Sequence, residues 1–276
     1  MRFFPGLFLF FLTACGSGTP ELTSKAARLA NGILGGEIVA ENSPEARVTV
    51  LLDSPDGLLC SGTLIGENLV LTAGHCLTKK PEDLRVLFGA RPYQRPVPTR
   101  PAVAFIRHEH FKDPERGRND VAVVKFAGTR PAGTGIAALP TDDEDFFLGA
   151  SFWALGYGAT SGLPTSEDDV GLLRRVELKI AAFHSQAREF SANQRGGRGA
   201  CFGDSGGPAL LWRKDRTPVV IGIESGIFHS PGDPPEDPCR AMSLYMNALF
   251  YRRWINNASA SLLADDFVQQ PAQLAR

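Results

Sequence analysis

Charge imbalance, long apolar runs and cysteine are all scarce in this sequence. Its 276 residues hold 29 Lys and Arg against 30 Asp and Glu, which gives a formal net charge of −1. Without an excess of positive charge the chain lacks the feature that attracts proteins to nucleic acids or anionic membrane surfaces, and we expect neither as a partner. The apolar run near the N-terminus is far shorter than the roughly 20 residues that a membrane-spanning helix needs.

Several recognisable sequence patterns are also missing. The chain has no internal repeat and no glycine-rich loop of the nucleotide-binding kind, and its His and Cys residues do not cluster at metal-ligand spacing. We therefore expect no metal and no other cofactor. Helical periodicity is scarce, whereas 29 Gly and 20 Pro punctuate the chain. This combination favours short strands joined by turns.

Short apolar runs bounded by turn residues follow one another from Ile33 onward, and each predicts a strand. The predicted strands are Arg47–Leu52, Gly62–Thr72, Asp83–Phe88, Ala102–Ile106, Val121–Phe126, Ser151–Gly156, Arg175–Ile180, Pro208–Trp212, Val219–Glu224 and Tyr245–Leu249. Residues 128–140 predict a linker between two lobes, a short helix is expected near Phe250–Asn257, and residues 258–276 form a polar tail. Polar surface loops are expected at Thr160–Asp169, Ser191–Gly199 and His229–Pro238.

The first fourteen residues have the form of an export signal, with one positive charge ahead of a short apolar run. They end in Leu12-Thr13-Ala14-Cys15, which resembles the bacterial lipobox. That resemblance implies a lipid on Cys15, and Gly16 after it favours the outer membrane over retention at the inner one. Residues 15–32 would then be a lipid tether or propeptide. An ordinary signal peptide that is cut after Ala14 is the alternative.

Cysteine occurs five times, an odd number that lipidation of Cys15 would explain. The remaining four are Cys60, Cys76, Cys201 and Cys239. Four cysteines allow three pairings, and their number alone does not choose among them. Disulfides form and persist in oxidising compartments, which fits an exported chain.

Two segments carry the chemistry that the sequence suggests. Residues 200–208 read Ala-Cys-Phe-Gly-Asp-Ser-Gly-Gly-Pro, and residues 71–76 read Leu-Thr-Ala-Gly-His-Cys. A serine hydroxyl attacks a carbonyl poorly unless a base lies within hydrogen-bonding reach and a third group fixes the tautomer of that base. Ser205 among its glycines, His75 after a strand-like run, and Asp120 ahead of an apolar run could supply the three groups.

Both segments, in this order and spacing, resemble the motifs of chymotrypsin-like (trypsin-family) serine proteases of the bacterial type, and the resemblance covers roughly Ile33–Ile255. It implies an all-β fold of two six-stranded antiparallel β-barrels with a short C-terminal helix. The serine endopeptidase domain would span residues 33–257, with barrels at about 33–130 and 140–250 and the active site between them. The disulfides that the family pattern implies are Cys60–Cys76 and Cys201–Cys239.

The resemblance also implies roles for individual residues. His75 would be the general base, Asp120 the carboxylate that orients it, and Ser205 the nucleophile that forms an acyl-enzyme. The N–H groups of Gly203 and Ser205 would form the oxyanion hole. The chain order His, Asp, Ser differs from the Ser, Asp, His order of α/β-hydrolases, which excludes an esterase or lipase of that fold.

An activation step is implied as well. In this family a new N-terminal amine, made by proteolysis, pairs with the aspartate before the nucleophile, and here those groups are Ile33 and Asp204. Gly32 precedes Ile33, where trypsin-like activating proteases need Arg or Lys. We therefore expect an activating protease of another specificity, a cut after Arg28 followed by trimming, or an altered activation logic.

The substrate pocket that the family pattern implies is uncharged. Gly199 stands six residues before the nucleophile, where trypsin-like members carry an acid, so we expect a P1 residue other than Arg or Lys. Ile227 stands where many members have glycine, and it favours a small or medium apolar P1 side chain. An acidic P1 residue bound by Arg240 is the alternative. The other implied wall residues are Phe202, Ser225, Gly226 and Ser243.

The sequence thus predicts an exported enzyme, either an outer-membrane lipoprotein or periplasmic, or released after processing. Its partners would be a protein or peptide substrate and an activating protease. Membrane contact would run only through the lipidated N-terminus, and we expect a monomer. The competing hypothesis is a catalytically silent protease homologue that binds a protein partner. The intact set of His75, Asp120, Ser205 and Gly203 argues against it.

Overall fold

A computed structural model of the chain describes Met1 and residues 33–112, 118–142, 146–163, 170–233 and 236–269. The predicted signal peptide, Cys15 and the propeptide lie outside these residues. The strands are β1 (Glu37–Ile38), β2 (Thr49–Asp53), β3 (Leu59–Leu64), β4 (Leu69–Thr72), β5 (Arg85–Phe88), β6 (Thr99–Arg107), β7 (Ala122–Phe126), β8 (Ser151–Gly156), β9 (Arg174–His184), β10 (Glu189–Asn193), β11 (Pro208–Trp212), β12 (Pro218–Phe228) and β13 (Met242–Asn247). The helices are α1 (Pro44–Val48) and α2 (Ala248–Gln269), with 3₁₀ turns at Gly74–Cys76 and Pro81–Asp83.

The first six long strands close into an antiparallel barrel in the order β2-β3-β4-β7-β6-β5. Every residue of β2, β4 and β7 is buried, because runs such as Leu-Val-Leu-Thr at 69–72 pack inside the barrel and beneath its covering segments. Closure pairs each edge strand and leaves no exposed ladder of backbone groups. This barrel carries the segments that contain His75 and Asp120.

The second barrel is a closed ring of β8-β9-β10-β13-β12-β11, and the short strand β1 adds to β9 outside the ring. Aromatic rings fill its interior. Phe190 stacks on Tyr245 with ring centroids 5.1 Å apart, and Phe152 meets both rings edge-on. The expected all-β fold of two six-stranded antiparallel barrels is therefore confirmed.

The segment predicted as a linker, residues 128–140, does cross between the barrels, and it is attached to both. The N–H of Ala137 donates to the carbonyl of Leu64 in the first barrel at 2.8 Å, and the N–H of Ala138 donates to Pro218 in the second at 2.8 Å. The connection therefore helps to fix the two barrels against each other.

Two strand predictions and one loop prediction were wrong in their bounds. Gly62–Thr72 is not one strand, because the chain turns between β3 and β4 where Ile65 N–H donates to Leu69 at 3.0 Å. The second part of β10 was assigned to the loop Ser191–Gly199, since Ser-Ala-Asn looks polar, although Ser191 and Ala192 are buried where β10 pairs with β9 and β13. The last predicted strand ends at Asn247, where α2 begins.

The C-terminal helix is longer than the sequence predicted. It runs from Ala248 to Gln269, so the first part of the expected polar tail is helical. Tyr251, Ile255, Ala258 and Leu262 recur at helical spacing and are all buried. No helix within the described ranges is both long enough and apolar enough to cross a membrane.

Candidate active site

His75 and Asp120 meet on the first barrel, at the face that adjoins the second. His75 lies in the 3₁₀ turn directly after β4, and Asp120 lies two residues before β7. The Nδ1 atom of His75 is 2.7 Å from Oδ2 of Asp120, and the backbone N–H of His75 donates to Oδ1 at 2.9 Å. The carboxylate thus holds both the ring and the backbone of the histidine.

A third group orients the Asp120 carboxylate from the second barrel. The hydroxyl of Ser225 donates to Oδ2 at 2.6 Å. The Asp120 side chain is fully buried, whereas the His75 side chain is 24% exposed. A buried carboxylate with three donors is a fixed hydrogen-bond acceptor, which leaves Nε2 of the ring for exchange of protons with a substrate-side group. Ser225, which was predicted as a pocket wall residue, thus contacts the Asp120 carboxylate.

The loop that carries Ser205 docks against the first barrel. The carbonyl of Ser205 accepts a hydrogen bond from the N–H of Ser61 at 2.8 Å and lies 3.5 Å from Sγ of Cys76, the neighbour of His75. The Ser61 hydroxyl donates to the carbonyl of Gly203 at 3.1 Å. These contacts bring Ser205 to the histidine turn, so the three residues singled out by sequence converge at one place.

Glycine is required in this loop at two positions for definite reasons. Gly203 has φ of +94° and a Cβ there would collide with the side chain of Leu59. Gly206 has φ of +80° and a Cβ there would collide with Thr72 and the carbonyl of Ser61. Any larger residue would therefore strain the backbone and push the loop off the first barrel.

Both disulfides join the cysteines that the family pattern pairs, Cys60 with Cys76 and Cys201 with Cys239. The first anchors the turn that holds His75 to β3, and the second anchors the nucleophile loop to the segment before β13. The Cys60 and Cys76 sulfurs and a His75 ring nitrogen lie within 4.8 Å of one another. Because both sulfurs are committed to the disulfide, this group lacks the thiolates that a zinc site would use.

Asp204 lies buried directly beneath the nucleophile. Its Oδ1 accepts from the N–H of Gly158 at 2.8 Å and its Oδ2 from the N–H of Cys201 at 2.8 Å. Burial raises the pKa of Asp204 from 3.8 to about 7, although these two N–H donors and the charge of Arg174 act in the opposite direction. The charged form would thus be stabilised by a further cation.

The segment that begins at Ile33 is inserted beside this loop. Ile33 is 1% exposed and Leu34 is 5% exposed, and the N–H of Gly199 donates to the carbonyl of Leu34 at 2.9 Å. Ile33 has φ of +43°, which is unfavourable for a β-branched residue. The segment predicted as the mature N-terminus therefore packs, through Leu34, against Cys201 in the loop that carries Asp204.

A cavity of about 190 Å³ opens beside Ser205. Of the residues predicted for the pocket wall, Phe202, Gly226 and Ile227 line it. Gly199 and Ser243 do not. A Cβ on Gly199 would collide with the side chain of Gln194, whose amide bonds to Ala200 and Cys239 and fills this part of the interior.

Sequence reasoning missed the most unusual residue of this cavity, Glu224. The pocket was expected to be uncharged, yet Glu224 lines it and is only 3% exposed. Cys201, His229 and Pro238 also line it, so one of the three expected polar loops contributes to the site. The sequence offered one signal, since Glu224 ends the apolar run Val-Val-Ile-Gly-Ile-Glu at 219–224. An acid at that position is equally typical of a strand end that faces solvent.

Comparison with known proteins agrees with this geometry. The family model named Trypsin matches residues 33–255. The snake venom serine protease 3 of Protobothrops jerdonii is 29% identical over 250 residues, which cover 86% of this chain and 91% of that protein. Cathepsin G of Mus musculus is 28% identical over 212 residues, covering 71% of this chain and 78% of that protein. With two barrels, the expected motifs at their junction and a family match over most of its length, the chain belongs to the trypsin family of serine endopeptidases.

Proposed function

We propose that the chain hydrolyses peptide bonds through a covalent acyl-enzyme formed on Ser205. One observation carries this proposal, the 2.7 Å contact between Nδ1 of His75 and the buried Asp120 carboxylate beside the loop that holds Ser205. This contact favours the tautomer with its proton on Nδ1 and leaves Nε2 as the base. The competing hypothesis of a silent binding protein has no need of such a contact.

In the proposed mechanism, Nε2 of His75 accepts the Ser205 proton while Oγ attacks the carbonyl carbon of the substrate. Asp120 stabilises the resulting imidazolium. The N–H groups of Gly203 and Ser205 stabilise the negative oxygen, and loss of one such donor typically slows catalysis about 10²–10³-fold. The imidazolium then returns its proton to the leaving amine, and a water molecule hydrolyses the acyl-enzyme by the same steps.

We propose that cleavage before Ile33 activates the enzyme, with the new amine as the cation that pairs with Asp204. The raised pKa of Asp204 supports this pairing, because burial disfavours its charge even with Arg174 and two N–H donors nearby, and an added cation would stabilise it. The φ of +43° at Ile33 supports the cleavage position, because this angle exists only while the peptide bond to Gly32 is intact. Such strain costs about 1–3 kcal/mol, and the cut removes it. An activating protease that accepts Gly32 at P1 is therefore part of the proposal.

The substrate is proposed to be a protein or peptide with a P1 residue other than Arg or Lys, cut by a monomeric enzyme. Gly199 provides no acid, and Gln194 takes up the space in which a longer residue there would begin. Arg240, the candidate partner of an acidic P1 residue, does not line the cavity and lies 3.7 Å from Asp237. We therefore set aside the acidic P1 alternative.

We also propose that the protein is exported and tethered by a lipid on Cys15, in the outer membrane or facing the periplasm, until it is processed. The support is the signal-like N-terminus with its Leu-Thr-Ala-Cys ending. Two disulfides add support, since they persist in oxidising compartments. The relatives named as snake venom proteases are venom components by those names, which accords with export.

Labelling with a fluorophosphonate tests the proposed function directly. Protein that begins at Ile33 would be treated with the reagent, and mass spectrometry would locate the adduct, with Ser205→Ala as the control. We expect one adduct, on Ser205, because only an activated serine beside an oxyanion hole reacts readily. No adduct on folded protein with both disulfides formed would contradict the proposal and favour the binding hypothesis.

A further inference from the structure

The cavity beside Ser205 contains a buried acid that the proposed mechanism leaves unused. Glu224 is fixed through its backbone, since its N–H donates to the Gly207 carbonyl at 2.9 Å and its own carbonyl accepts from Gly206 at 2.7 Å. The residue is therefore held against the nucleophile loop itself. These backbone hydrogen bonds fix Glu224 relative to Ser205, unlike an acid on a mobile part of the surface.

Glu224 lines the cavity, and its carboxyl is incompletely satisfied. It interacts with the Ser205 hydroxyl and with the backbone N–H of Gly226. The Oε2 atom is buried and has no hydrogen-bond partner among the described residues. Buried polar atoms are nearly always paired, and those that are not call for an explanation such as a ligand. An atom of the substrate is the natural partner here.

The surroundings of Glu224 favour its uncharged form. Burial and the nearby carboxyls of Asp204 and Asp120 raise the pKa of Glu224 well above its ordinary value. The Tyr245 hydroxyl also lies near it, and His229 lines the same cavity. A protonated carboxyl both donates and accepts a hydrogen bond, so it complements a neutral amide or hydroxyl group.

The position of the Glu224 carboxyl and the size of the cavity limit the P1 side chain that fits. The Glu224 carboxyl interacts with the Ser205 hydroxyl, and that hydroxyl is the group that attacks the P1 carbonyl carbon. The carboxyl therefore lies near the start of the P1 side chain, and the cavity of about 190 Å³ beside it favours a short side chain over the long ones of Lys and Arg.

We propose that Glu224 determines specificity by selecting a short, uncharged P1 side chain that carries a hydroxyl or amide group, such as Thr or Asn. The inference rests on the proposed function, because it assumes that Ser205 attacks the P1 carbonyl. It replaces the apolar preference expected from sequence with a polar one, and the preference for a P1 residue other than Arg or Lys is unchanged.

Peptide substrates with P1 side chains of similar shape but different polarity test this proposal. Peptides that differ only at P1 would be compared as Thr against Val and Asn against Leu, with Lys and Asp as charged members. We expect kcat/KM to favour Thr and Asn by at least about 10-fold over their apolar partners, because a site built for a polar group rejects the analogue that lacks it. Glu224→Met should abolish or invert both ratios, whereas Glu224→Gln, which keeps a donor and an acceptor, should retain part of each.

The control variant is Glu177→Gln, which changes an exposed acid on β9 and should leave every ratio unchanged. Each enzyme would first be titrated with the fluorophosphonate, so that kcat refers to Ser205 that reacts. Normal labelling of Ser205 with ratios that Glu224→Met does not alter would overturn the role of Glu224 and leave the proposed function intact. Labelling that fails in the unsubstituted enzyme would count against the proposed function itself. A preference for Lys over Thr and Asn would also overturn the inference.

Discussion

Asp204 shows how strongly a single environment can act at the residue scale. The carboxyl is buried, holds two backbone N–H donors, and still has its pKa raised to about 7. Burial disfavours the charge more than the two donors stabilise it. The residue is thus poised to respond to one added positive charge, which the proposed cleavage before Ile33 would supply.

The raised pKa predicts how stability depends on pH. Between pH 3.8 and about 7 the folded uncleaved chain keeps a proton on Asp204 that the unfolded chain has released. The free energy of unfolding should therefore fall as pH rises through this window and level off above it. Urea unfolding of the uncleaved Ser205→Ala chain at pH 5 and pH 8 would measure the fall.

The matched control for this prediction is the same chain with Asp204→Asn added. The substitution also removes the Asp204 charge that raises the pKa of Glu224, so the difference reports Asp204 together with its effect on Glu224, and both effects act in the same direction. We expect the doubly substituted chain to lose less stability between the two pH values. An equal loss in both chains would show that Asp204 does not hold the extra proton.

At the scale of elements, helix α2 supports the active site from behind. The Tyr251 hydroxyl donates to Oδ1 of Asn119 at 3.0 Å, directly beside Asp120. The Lys125 ammonium on β7 donates to the carbonyl of Leu262 at 2.8 Å. The helix therefore joins both ends of the segment that carries Asp120, which explains why a C-terminal element matters to a site built from loops between strands.

This arrangement predicts a large difference between two neighbouring leucines on α2. Leu262 is 3% exposed and packs in the core, whereas Leu263 is 39% exposed. Leu262→Ala should lower the free energy of unfolding by about 2–5 kcal/mol because it leaves a cavity. Leu263→Ala should change it by less than about 0.5 kcal/mol. Urea unfolding of both variants in a Ser205→Ala background would decide, and equal effects would mean that the helix does not pack as described.

At the scale of the whole molecule, the proposed lipid tether and cleavage site would link location to activity. The cysteines outside residues 2–32 are all paired with one another, so no disulfide can retain a propeptide once the chain is cut before Ile33. If Cys15 carries a lipid, one cleavage would both release and activate the enzyme.

This coupling predicts two pools of protein in cells. The membrane fraction should hold inactive chain with a lipidated N-terminus, and the soluble fraction should hold active chain that begins at Ile33. Fractionation, N-terminal sequencing and fluorophosphonate labelling of each pool would test it. Cys15→Ser should empty the membrane pool without preventing activation. Active enzyme that still carries the lipidated N-terminus would refute the coupling.

Some features of this protein could be predicted from sequence because they depend on residues that are adjacent in the chain. The glycines at 203 and 206, for example, permit a sharp turn, and short apolar runs indicated most strands. Strand β10 and the far half of α2 escaped prediction because their burial depends on partners distant in sequence. The split of Gly62–Thr72 escaped it because an apolar run hides a short turn.

The sequence by itself determined the family, the two-barrel fold and the identity of His75, Asp120 and Ser205 as candidates, because each lies in a contiguous motif. Only the tertiary structure decided what surrounds them. Glu224 is buried, and Gln194 fills the interior beside Gly199, because chain segments distant in sequence meet in the second barrel. Contacts of this kind depend on packing and not on neighbours in sequence, so the character of the pocket became visible only after folding.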